Sequence, residues 1–364
     1  MANIELATAN QKKVWTARRY DEYVRASGFK PFMGRNANKI IHVRYDLKNE
    51  RGDQINIPLF AKLKGEPKRG ADVIEGNEQG MANFHFPIKI DWVGEGVAVS
   101  NADQFRSEID LLDAGKAGLV SFMGEVTRND IVEALNSKKG IRHQQTTASL
   151  RNDWLSLNKD RILFGSKTSN YLPVFDNAVG ALTGNNDVLS KKVVQLARYV
   201  ARNSSSRLIR PAVVEERIGM SGEGGNIVEC YVMFVGSRSF YHLKQDAELK
   251  EDLRHAMDRG INNPLFQPDD LMIDNVIIRE IPEISDRCIL KKAGSGNVDV
   301  EPYFLCGAQA IGYVIGQDPK FTTDERDYGH IRGVAVRELR GIEKTRFDGV
   351  DHGVMTGYVA APSA

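Results

Sequence analysis

The feature that most constrains the fold is a long stretch, residues 41–99, in which apolar and polar residues alternate with a period of two. The alternation begins at Ile41 and is interrupted by the polar turn 49–53. It returns from Phe84 to Trp92, beyond a segment rich in glycine and charged residues. A period of two is typical of β-strands with one buried face. We therefore predict an extended β-arm that is charged where it turns back.

The first two alternating runs predict how this arm begins. Ile41–Leu47 and Ile55–Leu59 flank a short Gly-containing turn, an arrangement typical of a β-hairpin. Pro58 lacks an N–H donor, which suits an edge strand. An arm of this length cannot bury both faces in its own molecule, so we predict that it acts between subunits. The charged residues near its tip, which we predict at the subunit interface, are Lys62, Lys64, Lys68, Arg69, Glu75 and Glu78.

The rest of the chain mixes helical and strand patterns. Residues 1–40 contain aromatic residues without a steady period, which favours a segment that docks on another surface. From about 104 to 136 the apolar residues follow helical spacing after a plausible cap at 101–103, so we predict a long amphipathic helix. We also predict helices after Asn185–Asp187 and over Asp246–Gly260, and strands over Val228–Val235 and Met272–Ile281.

The charge balance argues against a dedicated nucleic-acid binder. Lys and Arg total 49 against 48 Asp and Glu among 364 residues, whereas such binders usually carry a basic face or tail. Basic residues cluster only locally. We interpret the cluster mainly as a solvated helix face, with a weak, non-specific contact to DNA as the alternative. Its members are Lys191, Lys192, Arg198, Arg202, Arg207 and Arg210.

Cysteine usage and hydropathy exclude further classes. Cys230, Cys288 and Cys306 lie far apart among apolar residues, and their odd number argues against a disulfide framework or a zinc site. We expect reduced, buried thiols that act as small hydrophobic side chains. No apolar run approaches the roughly 18 residues of a membrane span, and no signal peptide is visible. We therefore expect synthesis in a reducing cytoplasm and no membrane partner.

The most site-like residues are Asp327, His330 and His352, which lie near glycines towards the end of the sequence. Catalytic or metal-binding histidines usually share one face with close partners, as in His-Glu-x-x-His, and that spacing is missing. The sequence also lacks a Walker-type phosphate loop, a dinucleotide fingerprint and a nucleophile elbow. We therefore predict no catalytic, cofactor-binding or metal site, and no enzyme activity.

Several separate stretches resemble a family of tailed-bacteriophage major capsid proteins, the branch that includes the coat of the N-four-like podophages. Each stretch is short, but their order and spacing cover nearly the whole chain from Trp15 onward. Little is recognised between about 142 and 207, so the fold there stays open. The stretches that carry the resemblance are Gly52–Pro58, Glu75–Glu78, Tyr231–Val235, Asn263–Phe266, Leu305–Ala310 and Asp327–Val354.

This family is similar in fold to the Hong Kong 97-type capsid protein. The resemblance therefore implies an α+β, Hong Kong 97-like phage capsid fold with an N-terminal arm, an extended β-hairpin loop, a peripheral domain with a long spine helix, and an axial domain. The implied boundaries are 1–40 for the arm, 41–100 for the extended loop, 101–160 for the peripheral domain with the spine helix, 161–270 for the axial domain, and 271–364 for the return to the peripheral domain and the C-terminal strands.

The resemblance implies a structural function. The chain is expected to be a major capsid protein that self-assembles into hexamers and pentamers of an icosahedral shell enclosing the double-stranded DNA genome of a tailed bacteriophage. Implied partners are other copies, a scaffolding protein, a portal and, weakly, the packaged DNA, while a decoration protein stays open. The implied location is the virion, after assembly in the cytoplasm of the host bacterium. No cofactor is implied.

Two other classes of function remain as alternatives. The first is a soluble oligomeric metalloenzyme with a site near Asp327, His330 and His352, which a measured metal content or a small-molecule turnover would favour. The second is a nucleic-acid-binding protein, which tight, salt-dependent binding by soluble subunits would favour.

Overall fold

The computed structural model describes residues 28–46, 52–60, 80–107, 109–204, 207–213, 229–251 and 270–363, with single positions at 63, 69, 75 and 78. The helices are α1 Asn101–Arg106, α2 Leu111–Asn136, α3 Ala148–Leu157, α4 Phe175–Gly180, α5 Lys191–Arg202, α6 Ser237–Gln245 and α7 Pro282–Arg287. The strands are β1 Met33–Gly34, β2 Ile41–Arg44, β3 Gln54–Phe60, β4 Asn83–Lys89, β5 Asp91–Ser100, β6 Ile162–Phe164, β7 Ala212–Val213, β8 Glu229–Val235, β9 Asp270–Ile273, β10 Val276–Glu280, β11 Val300–Cys306, β12 Ile311–Arg326, β13 Ile331–Lys344, β14 Arg346–Phe347, β15 Val350–Asp351 and β16 Val354–Ala360.

The chain forms two units. The larger unit is built from the described parts of 27–91, 127–317 and 340–364. The smaller unit contains, among the described residues, 92–126 and 318–339. Helix α2 and the strands β12 and β13 contribute residues to both units. None of the described helices combines the length and the apolarity that a bilayer span requires.

The larger unit is organised around a mixed sheet with strand order β6-β16-β11-β8-β10-β9, in which β7 also pairs with β8. Strands β11 and β16 are buried along their whole length, and β8 is buried except at its first residue. Strands that are covered on both faces have continuous apolar runs, which is why the pattern at Val228–Val235 predicted a strand correctly. The sheet is therefore the core of this unit.

Successive residues of β8 belong to two different hydrophobic layers. Tyr231, Met233 and Val235 lie in the layer that also contains the buried face of α5. Cys230, Val232 and Phe234 lie in the layer that contains the last turns of α2. Because side chains alternate across a strand, one apolar run supplies both layers.

Aromatic residues of segment 28–40 complete the second layer. The rings of Phe29 and Phe32 lie 5.0 Å and 5.6 Å from the ring of Phe234, and both side chains are buried. We expected the aromatic residues of 1–40 to dock on another surface. These two dock on the sheet of their own chain, whereas residues 1–27 lie outside the described residues.

The strand pairing corrects two predictions. The runs at 41–47 and 55–59 do not form a hairpin with each other. Strand β2 pairs in parallel with β1 and β12, and β3 pairs antiparallel with β4. The prediction of one strand over Met272–Ile281 is also wrong. Asp274 and Asn275 have left-handed backbone angles, so the segment folds as the hairpin β9–β10.

The helix predictions hold with shifted boundaries. The predicted helix at 104–136 is present but divided into α1 and α2. Ser100 caps α1 by accepting the N–H of Ala102, and Asp110 accepts the N–H groups of Leu112 and Asp113 at the start of α2. Helix α5 begins at Lys191 instead of following Asp187 directly. The predicted helix Asp246–Gly260 lies partly outside the described residues.

The smaller unit places α1 and the first part of α2 with the three-stranded order β12-β13-β5. Its apolar cluster joins Leu119 and Met123 of α2 to Val334 and Val336 of β13. Gly115 is required where helix and strand meet, because a Cβ at this position would lie 3.3 Å from the side chain of Val97. The helical periodicity of this segment therefore reflects packing against a sheet.

The burial predicted for the three cysteines is confirmed. Burial raises the pKa of the Cys288 thiol to about 12 and also raises the pKa of the Cys306 thiol. Thiols that are seldom deprotonated react poorly. Assembled protein should therefore run as a monomer on a non-reducing denaturing gel. A ladder of oligomers that reductant collapses would contradict this prediction.

Candidate assembly surfaces

The antiparallel pair β3–β4, here called the ribbon, is the structural counterpart of the predicted arm. Ile57 faces Phe86 and Leu59 faces Phe84 across it. At its base, Ile55, Phe86 and Ile88 are buried against Val314 and Phe347 of the larger unit. The base is therefore part of the folded core of its own chain, although the alternation predicted an arm that acts between subunits.

The apolar residues nearest the tip of the ribbon have no such cover. Phe60 is 60% exposed, Leu63 is 54% exposed and Met81 is 53% exposed. Single exposed apolar residues are normal, but three within the segment that joins the ribbon strands, or directly next to it, suit an interaction surface. The ribbon thus divides into a buried base and an exposed, partly apolar tip.

The charged residues that we predicted at the tip are described only in part. Arg69, Glu75 and Glu78 are exposed. Lys62, Lys64 and Lys68 lie outside the described residues. The interface role of all six residues therefore stays a prediction.

Asp327 and His330 belong to a tight turn in the smaller unit. Asp327, Tyr328 and Gly329 have consecutive left-handed backbone angles, and the N–H of His330 donates to the carbonyl of Asp327 over 2.9 Å. This geometry closes the β12–β13 hairpin. Asp327 and His330 therefore lie near a glycine because all three residues form this turn.

His352 lies in the larger unit, next to a buried carboxylate. Its ring packs edge-on against Phe347 with the centroids 5.3 Å apart. Burial lowers its pKa to about 4, so the ring is neutral at neutral pH. The described residues contain no group of three or more His, Cys, Asp or Glu side chains arranged to hold a metal ion.

A buried ion pair, which the sequence analysis missed, lies beside His352. Nζ of Lys344 is 2.7 Å from Oδ2 of Asp351, and neither side chain is more than 3% exposed. The indole N–H of Trp154 donates to the same carboxylate oxygen over 3.0 Å. Asn158 accepts the backbone N–H of Asp351 over 2.8 Å. Asp351 therefore connects helix α3 and the turn after it to Lys344 of β13, through both its carboxylate and its backbone N–H.

A second buried lysine extends this cluster. Nζ of Lys138 donates to the hydroxyl of Tyr358 over 2.6 Å and lies 3.9 Å from the ring centroid of Trp154. Burial lowers the pKa of Lys138 well below its ordinary value, and the nearby Lys344 acts in the same direction. A lysine in a polar stretch is normally exposed, so no sequence pattern could have placed it here. The side chains of this cluster are buried in the core, where they hold parts of the larger unit together.

The basic residues that we interpreted as a solvated face are mostly engaged within the chain. Arg198 pairs with Asp274, and Lys192 pairs with Glu248 over 2.6 Å. Arg210 donates to the side chain of Asn38 over 2.7 Å. Exposed pairs of this kind are worth only about 0–1 kcal/mol each. They are compatible with a solvated surface and leave little charge for a specific phosphate site.

The described residues thus combine a ribbon with exposed apolar residues near its tip and a buried ion pair, and Asp327 and His330 form a hairpin turn. The chain belongs to the phage capsid protein family, because the profile of that family matches residues 3–362. The metalloenzyme alternative near Asp327, His330 and His352 is not supported.

Comparison with individual proteins agrees with this family. The chain is 28% identical over 381 aligned positions to the major capsid protein of Pseudomonas phage KPP25, covering 99% of this chain and 97% of the relative. It is similar to a chain of the cyanophage Pam1 capsid asymmetric unit, with 33% identity, a TM-score of 0.88 and complete coverage of both chains. The capsid of Ralstonia phage GP4 shares the fold at 21% identity, with a TM-score of 0.74 and coverage of 100% and 99%.

These likenesses confirm the expected α+β, Hong Kong 97-like fold. They also confirm the resemblance to tailed-phage major capsid proteins. The chain is a component of a phage capsid, and its family has a structural role.

Proposed function

We propose that this chain is the subunit of hexamers and pentamers that close into an icosahedral shell around the double-stranded DNA of a tailed bacteriophage. The observation that carries the proposal is the likeness to the Pam1 capsid chain over the full length of both chains. The exposed apolar residues near the ribbon tip support it, because in a ring of copies each subunit can cover these residues of its neighbour. Catalysis has no part in this function.

Each segment of the chain has its own role in the shell, and the segments have the boundaries expected above. Residues 1–40 act as an N-terminal arm, 41–100 as the extended loop and 101–160 as a peripheral domain with a spine helix. Residues 161–270 act as an axial domain, and 271–364 return to the peripheral domain. The charged tip residues Lys62, Lys64, Lys68, Arg69, Glu75 and Glu78 meet a neighbouring subunit.

Assembly takes place in the host cytoplasm with a scaffolding protein and a portal. Contact with packaged DNA is weak and non-specific, because several basic residues of the α5 region already pair with acidic ones. A decoration protein stays open. Electron microscopy of the protein expressed alone, and with its scaffolding partner, tests the proposal. Shells or hexamers are expected, and persistent monomers under both conditions would refute it.

The absence of catalysis leads to a prediction for His330 and His352. Replacing both with Asn should leave a shell-forming protein, because His330 acts through its backbone and the neutral ring of His352 packs on Phe347. Micrographs and metal analysis of both proteins check this. A stoichiometric metal in the wild-type protein that the double variant loses would contradict it.

A further inference from the structure

Among the described strands, β5 forms a long sheet edge that pairs only with β13. Among the described strands with a neighbour on one side only, it is the longest, with 10 residues. The strands at the other ends of the two larger sheets, β1, β6 and β9, have 2, 3 and 4 residues, and the ribbon strands β3 and β4 have 7 each. A long edge strand presents a row of backbone donors and acceptors to other chains, so proteins normally shorten or block it. Strand β5 is not shortened.

The direction of the backbone groups along β5 follows from its contacts with β13. The N–H of Asn101 donates to the carbonyl of His330 over 2.9 Å. Gly96 lies against Ala335 and Gly94 against Arg337, so the two strands run antiparallel. In an antiparallel ladder, alternate residues face the partner. Counting back in steps of two from Asn101, Gly94, Gly96 and Ala98 direct their N–H groups away from β13.

One of these outward groups is occupied by a local side chain. Oε1 of Glu95 accepts the N–H of Gly96 over 3.0 Å. Glu95 is exposed, so its carboxylate can leave this N–H for water when another acceptor arrives. The sequence of β5, Asp91–Ser100, contains no proline, lysine or arginine. The proline and lysine that commonly protect an edge are therefore missing from β5, which carries only the acidic Asp91 and Glu95.

The ribbon shows the opposite treatment of its edges. The N–H of Ile90 donates to the carbonyl of Asp53 over 3.0 Å, which places Pro58 of β3 and Pro87 of β4 at outward-facing positions. Proline has no N–H, so each ribbon strand lacks a donor on its open side. The same chain thus places a proline at the outer edge of both ribbon strands and leaves the ten-residue strand β5 without one.

We propose that an extended segment of a second copy of this chain adds to the open edge of β5. The inference rests on the proposed shell function, because other copies are the molecules present beside every subunit of a shell. The low net charge of the chain, +1, allows close approach of copies. Strand addition of this kind supplies affinity through main-chain hydrogen bonds.

Hydrogen exchange tests the proposal on the wild-type protein. Within a peptide covering 93–99, the outward amides of Gly94, Gly96 and Ala98 should exchange at least roughly tenfold more slowly in assembled shells than in unassembled subunits, because strand pairing protects them. Equal exchange in both forms would overturn the proposal. Protection already complete in the unassembled subunit would also overturn it, since the edge would then be covered by its own chain.

A substitution at Ala98 provides the second test. Ala98→Pro removes an N–H that the β5–β13 pairing does not use, so the subunit should fold but fail to form normal shells. Ala98→Ser keeps the N–H and should assemble normally. Normal shells of the proline variant would overturn the proposal. If that variant does not fold, the exchange comparison decides alone. Wild-type protein that forms no shell would refute the proposed function itself, which is a separate result.

Discussion

Shortening the ribbon tip between Lys62 and Gly80 should leave a folded, soluble subunit that no longer builds normal shells. The fold should survive because the apolar base of the ribbon, Ile55, Phe86 and Ile88, lies outside the deleted segment and stays buried. Changes in the length of a surface loop alter closure entropy only slightly. Assembly should fail because the shortened ribbon loses the tip that is proposed to reach a neighbour.

Circular dichroism and thermal melting report the fold of this deletion variant, and electron micrographs report its shells. A matched control replaces Arg69, Glu75 and Glu78 with Ala and Gln while keeping the length. Exposed ion pairs are worth only about 0–1 kcal/mol each, so the control should still assemble. Intact shells of normal size from the deletion variant, or collapse of its fold, would each refute the assignment.

Breaking the buried ion pair should have the largest effect on stability. Asp351→Leu leaves the Lys344 ammonium buried without its carboxylate and removes the acceptor of the Trp154 indole N–H. Removal of one partner of a buried pair typically costs about 3–5 kcal/mol. We expect a loss of that size in the free energy of unfolding of the larger unit. Lys344→Met should cost a similar amount, because it isolates the carboxylate.

The double variant Lys344→Met with Asp351→Leu separates the ion pair from simple packing. It leaves no buried charge at this place, so it should be more stable than either single variant. Lys192→Met provides the surface control, since Lys192 is exposed and pairs with Glu248 at the surface. Urea unfolding of these four variants and of the wild-type protein measures the differences in the free energy of unfolding. Losses in the double variant equal to the sum of the single losses would show that the two groups are not coupled.

The sequence was sufficient to predict elements whose pattern is local. The apolar run Val228–Val235 and the helical spacing at 104–136 each depend on neighbouring residues, and both correspond to real elements. The partner of β2 could not be predicted in the same way. Besides the short β1, β2 pairs with β12, which places Ile41 beside Ile311, and no local pattern indicates so distant a strand. The nearer run at 55–59 was therefore chosen wrongly.

Buried polar groups were harder still to predict. Lys344 and Asp351 stand in a segment with many charged residues, some of which, such as Arg337 and Asp348, are exposed. What buries this pair is the arrival of Trp154 and Asn158 from a distant helix, and that contact exists only in the folded chain. The resemblance to capsid proteins predicted the fold where local patterns could not, because it depends on the order of many short stretches along the chain. It said nothing about this pair.

The position of β16 has a consequence for the order in which the subunit matures during translation. Strand β16 lies between β6 and β11, where it pairs Thr356 with Ile162 and with Phe304. Residues 354–360 leave the ribosome after every other described strand, so the central sheet is split until then. The ribbon strands β3 and β4 are synthesised early, before the central sheet of the larger unit is complete. Contacts of such high sequence separation slow folding, and the central sheet cannot be completed before residues 354–360 have been synthesised.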